Sequence, residues 1–124
     1  MITGVSQITL PVDDKDRAKA FWATKIGFTV HTDEPYGKER WIELAPPEGA
    51  PLLVLTDRPE DQRPQREQAG LPDSPIMFVC DDIEQTHREL TERGVRFSTP
   101  PQQMPFGWWA VFEDDQGTRY GLGE

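Results

Sequence analysis

The chain has 124 residues, enough for one domain with a respectable core, and its 13 Lys and Arg stand against 22 Asp and Glu for a formal net charge of -9. A field of that sign excludes nucleic acid and anionic membrane surfaces as partners, because no local basic patch opposes it. The single cysteine, Cys80, has no partner for an internal disulfide. Neither an apolar run of about 18 residues nor a basic and apolar leader occurs, so a cytoplasmic location is expected.

Residues 5–12 alternate and are rich in β-branched side chains, which predicts a strand. Asp13-Asp14 then supplies an N-cap for a helix over 15–25, in which Ala18, Phe21, Trp22 and Ile26 fall at helical spacing, and Gly27 stops it. Three strands are expected next, at 28–32, 40–45 and 51–56, separated by turn signals at 33–37 and 46–49. Residues 57–74 carry charges, prolines and glycines without an apolar period and read as an exposed connection able to act as a flap.

From Pro75 the order begins again. An apolar strand over 75–80 includes Cys80 as a small core residue, and Asp81-Asp82 caps a helix over 83–93 with Ile83, Thr86, His87 and Leu90 on one face. Gly94 ends it, and strands at 95–99, 108–113 and 118–122 follow, the last two joined by a turn at 114–117. Asp14 corresponds to Asp82 and Gly27 to Gly94, offsets of 68 and 67, so the chain reads as an internal duplication. The expected fold is α+β: one domain of two tandem βαβββ modules, 3–56 and 75–124, forming a curved mixed sheet around a concave groove with the helices outside. One helix cannot cover a whole four-stranded sheet, and a concavity at a repeat interface is a natural small-ligand site.

Period-2 alternation puts Gln7 and Thr9 on the cavity face of the first strand, opposite Ile8 and Leu10. The same count pairs Trp41 with Glu43, an aromatic wall beside a carboxylate. Each polar residue reads either as a ligand contact or as a solvated strand residue. Trp108 and Trp109 point to opposite sides of their strand, so one of them faces the cavity, either to stack a planar or cationic ligand or to fill core or dimer interface. Arg119 shares the cavity parity and reads as a partner for Glu43 or for an anionic ligand. No nucleophile elbow, phosphate loop or C-x-x-C is present, and the acidic pairs at 13–14, 81–82 and 114–115 read as caps and turns.

The phrases Leu10-Pro11-Val12-Asp13, Ala18-Lys19-Ala20-Phe21-Trp22, Ile26-Gly27-Phe28 and Phe112-Glu113-Asp114-Asp115-Gln116-Gly117 resemble motifs of the vicinal oxygen chelate group of glyoxalases, ring-cleaving dioxygenases and bleomycin-resistance proteins. The resemblance implies four metal-ligand positions, which fall here on Gln7, Glu43, Pro75 and Gly121. Pro75 and Gly121 have no coordinating side chain, and catalytic metals normally take three protein ligands. His31 and His87 read as ordinary surface or packing residues, and Glu124, an odd step past Gly121, turns to the opposite face. No cofactor is therefore expected. The leading expectation is a homodimeric protein that sequesters a small molecule. Its alternatives are a divalent-metal enzyme of glyoxalase or isomerase type using Gln7 and Glu43, and a dimerisation or partner-binding module. Burial is expected to raise the pKa of Glu43, and Arg119, if it reaches, to lower it.

Overall fold

The alternation in the first strand resolves as β1, Gln7–Val12, whose Leu10 and Val12 are buried under the following helix. A computed structural model describes residues 1–59 and 71–124, and the chain divides into two compact units, Met1–Arg63 and Pro64–Glu124. Most of the connection read as a flap lies outside the described residues.

In the first unit, Asp14 caps helix α1, Lys15–Ala20, by accepting from Arg17 N at 3.1 Å. The helix widens into a π-helical turn over Phe21–Ile26 and stops at Gly27, whose φ of 95° suits a residue without a Cβ. Strands β2, Thr29–Tyr36, β3, Glu39–Ala45, and β4, Leu52–Asp57, complete a sheet of order β1-β4-β3-β2 in which β1 runs parallel to β4 and the other pairs are antiparallel. The turn expected at 33–37 is strand: Asp33, Glu34 and Pro35 pair with Ile42, Trp41 and Arg40, and only Gly37 and Lys38 turn. Pro35 is tolerated because β2 is an edge strand, where a missing N–H breaks no central ladder.

Leu10, Ile42, Leu44, Leu53 and Leu55 face α1 together with Ala18, Phe21 and Trp22, all buried, each large side chain stabilising the unit by about 1.5–3 kcal/mol. At the rim of this layer the Arg40 guanidinium holds Asp33 at 2.7 and 2.8 Å and reaches Asp16 on α1, while Lys19 also binds Asp33. These cations hold the Asp33 carboxyl well below the usual carboxylate range.

The second unit repeats the plan with β5, Met77–Val79, α2, Ile83–Glu92, β6, Arg96–Met104, β7, Gly107–Glu113, and β8, Arg119–Gly123, in the order β5-β8-β7-β6. The tandem βαβββ expectation thus holds in both halves. Asp82 caps α2 through Gln85 N, and Glu124 accepts from Ile83 N at 2.9 Å, so Glu124 serves the helix side as its parity required. β5 is shorter than expected. Cys80 lies just beyond it, half-buried, with Sγ 3.4 Å from Gly123 O.

The turn before β8 is organised by Asp114, a buried carboxylate accepting from Gln116 N at 3.0 Å, Thr118 N at 2.9 Å and the Tyr120 hydroxyl at 2.9 Å. Burial outweighs these donors and pushes its carboxyl up to about 6. A raised carboxyl pKa means that the folded state holds the proton more tightly than the unfolded chain, so this group's contribution to stability falls as pH rises from roughly 4 to 6. In denaturant titrations the stability of the parent relative to Asp114→Asn is therefore expected to increase by roughly 1–3 kcal/mol on going from pH 7 to pH 4.5. A difference that stays flat with pH would show that the carboxyl is not elevated.

Candidate ligand-binding site

The face of the first sheet that α1 leaves uncovered carries Gln7 and Thr9 from β1, Leu52 and Val54 from β4, and Trp41 and Glu43 from β3. Thr9, Val54, Glu43 and Thr32 form one cross-strand row. β2 joins this face through a bulge. Val30 pairs with Leu44 and Thr32 with Glu43, so His31 is one residue too many, and the extra residue turns both His31 and Thr32 toward Glu43.

Glu43 is the centre of this face and is only 8% exposed. Gln7 Nε2 donates to its Oε2 at 2.9 Å, and His31 Nδ1 lies 3.4 Å from its Oε1. Thr32 and Trp41 side chains add hydrogen bonds. The Thr32 hydrogen bond is the largest influence and burial opposes it, with the net result that the carboxyl lies below its ordinary value. Two expectations are corrected here. Glu43 is lowered rather than raised, and by its own sheet neighbours rather than by Arg119; His31 is exposed, as a surface histidine should be, yet its ring lies beside Glu43. Arg119 is held by Asp73, through Nη2 at 2.8 Å and Nε at 3.2 Å, and that buried carboxylate raises the Arg119 pKa.

The second sheet decides between the two tryptophans. Trp109 pairs with Gly123 and shares its face with Val111, Gly121 and Met77, whereas Trp108 has the parity of Ala110 and Phe112 and lies on the side of α2. There Trp108, Pro100 and Pro101 line a groove of about 310 Å³ with Glu84, His87 and Arg88. His87 also packs edge-on against Phe97 at 4.6 Å, as a packing histidine should.

Register equates positions across the duplication. His31-Thr32 opposite Glu43 corresponds to Ser98-Thr99 opposite Val111, with the bulge in the same place. Trp41 corresponds to Trp109, Gln7 to Pro75, and Gly121 to Val54 rather than to Glu43. The polar cluster therefore belongs to the first module only.

A divalent ion does not fit this donor set. Gln7 turns its amide N–H toward Glu43, whose oxygens already accept from side chains around it. In the second sheet a Cβ at Gly121 would lie 2.6 Å from both Met77 Sδ and the Trp109 ring, so apolar atoms fill the place a ligand would need. Among the described residues no group of three or more His, Cys, Asp or Glu is arranged to hold a metal.

A model of the Glyoxalase/Bleomycin resistance protein/Dioxygenase superfamily matches residues 4–121. The chain is 32% identical over 125 residues to the uncharacterized protein YetH of Bacillus subtilis (strain 168), with 100% of both chains covered. Among solved structures, TnmS3, an antibiotic binding protein from Streptomyces sp. CB03234, is 30% identical with a TM-score of 0.81, over 98% of this chain and 95% of that one. A lactoylglutathione lyase from Agrobacterium tumefaciens shares the fold at 17% identity and a TM-score of 0.69, over 99% of this chain and 94% of that one.

The contact over Gly121 is testable by a double-mutant cycle. Gly121→Ala is expected to destabilise by about 1–3 kcal/mol through overpacking. In a Met77→Ala background the cost should shrink by at least about 0.5 kcal/mol, because one of the two obstructing side chains is gone. Strict additivity in chemical denaturation would show that Met77 does not cover that backbone.

Proposed function

We propose, from the premise that the chain belongs to the Glyoxalase/Bleomycin resistance protein/Dioxygenase superfamily, that it captures a small planar aromatic molecule on the uncovered face of its first sheet and needs no divalent metal to do so. The observation that carries this reading is the state of Glu43: an ionised, buried carboxylate surrounded by side-chain donors is a fixed part of the wall, not an open ligand. Beside it Trp41 remains 37% exposed and meets the 70% exposed Tyr36 at a ring-centroid distance of 6.0 Å, which offers aromatic surface to a flat partner. The likeness to an antibiotic binding protein supports the small-molecule class.

Such a site works by shape and polarity. Trp41 and Tyr36 supply stacking area, Leu52 an apolar contact beside them, and Gln7, Thr9 and His31 polar contacts at the edge. Titration with a panel of planar aromatic compounds should quench tryptophan fluorescence. Trp41→Ala should weaken the best ligand by roughly five- to thirty-fold, the worth of one stacking partner and its buried area, with the fold intact by circular dichroism. Unchanged affinity in Trp41→Ala, or a stoichiometric Ni, Zn, Mn or Fe ion in protein purified without chelator, would contradict the reading.

A further inference from the structure

The hydrogen bonds around Glu43 have a direction, and the direction fixes the chemistry of His31. An ionised carboxylate repels a lone pair, so its field favours the N–H over the lone pair on a ring nitrogen 3.4 Å from Glu43 Oε1. The same Nδ1 lies 3.1 Å from Thr32 Oγ1. The Thr32 hydroxyl accepts from the ring when Nδ1 carries the proton, and the neighbouring Glu43 charge favours that arrangement. Two oxygens on one side, one of them charged, favour the Nδ1–H form of the neutral ring. Its lone pair is then on Nε2, at the far edge of a side chain 56% exposed on the face that carries Trp41. Gln7 is oriented by the same logic: its N–H2 points to Glu43, which leaves Oε1 as an acceptor.

We propose that His31 Nε2 is the specificity-determining acceptor of this site, and that it selects aromatic ligands bearing a free hydroxyl, the phenol class, over their O-alkylated counterparts. The proposal rests on the aromatic capture site above and adds the group by which its ligands are told apart. A phenolic O–H donates into the Nε2 lone pair while the ring lies along Trp41. An ether of the same ring keeps the stacking surface and loses the donor, so a site built to accept rejects it.

The probes are 2-naphthol and 2-methoxynaphthalene, titrated by calorimetry at pH 8 into the full chain. The parent should bind 2-naphthol about five- to tenfold more tightly, the size of one hydrogen bond. His31→Asn keeps a donor where Nδ1 stood and removes the acceptor, so the two affinities should become equal. His31→Gln places an amide oxygen near the Nε2 position and should restore part of the preference. Independently of any ligand, a long-range ¹H–¹⁵N spectrum should show His31 in the Nδ1–H tautomer. Equal binding of both probes by the parent, a preference that survives in His31→Asn, or an Nε2–H tautomer would overturn the proposal while leaving aromatic capture standing. Failure of the parent to bind either probe would sink the capture reading and this proposal together.

Discussion

An ionised carboxylate removed from water must be surrounded by donors or give up its charge, and Glu43 meets that demand with side chains of its own sheet. The rest of the first sheet's open face follows from it. Gln7 has to present its N–H2 across β4, which reaches Glu43 from the edge strand β1. Thr32 has to share Glu43's row, and the bulge at His31 brings a second side chain from β2 to the same spot. Trp41, two residues away on β3, shares this face and helps to lower the Glu43 pKa. The orientations of the polar side chains on this face are linked through one charge, while the bulge itself is common to both modules.

The duplication supplies an internal control. The second sheet keeps the bulge and keeps a tryptophan at the position of Trp41, but places Pro75, Ser98 and Val111 where the first has Gln7, His31 and Glu43. Without a buried carboxylate no donors are needed, and the corresponding face is occupied by Met77 and Trp109 packed over Gly121. The helix sides differ in the opposite sense. The first unit spends Arg40, Asp33, Asp16 and Lys19 on an ion network at its rim, whereas Trp108, Pro100, Glu84 and His87 stand in the matching region of the second and leave a groove. Two copies of one backbone plan have thus been given different polar chemistry on both faces.

Much of this was legible in the sequence because it rests on local signals. Caps at Asp14 and Asp82, stops at Gly27 and Gly94, and the parity of Gln7, Trp41 and Glu43 depend only on near neighbours in the chain. What the sequence concealed was pairing. Placing a wide turn at 33–37 hid the two-residue turn at Gly37-Lys38. Counting back from that short turn sets Thr32 opposite Glu43 and brings His31 beside it. Pro35, Pro100 and Pro101 argued against strand, but β2 and β6 are edges, where proline is harmless. Arg119 was given the right face, yet nothing local announces that Asp73, far back in the chain, takes its guanidinium.

The superfamily's glyoxalases and dioxygenases raise the question of whether a carboxylate here is chemistry or architecture, and fold alone does not answer it. In the reading proposed above, the donor set around Glu43 makes it architecture. Its protonation is the most direct measure of that assignment, because burial alone would raise the pKa and the surrounding hydrogen bonds lower it. A carbon-detected NMR titration of the Glu43 carboxyl in the free protein reads the balance without any ligand. The account predicts a midpoint below the ordinary glutamate value, and a midpoint above it would show that the donors do not hold the charge and that the site is not built around Glu43.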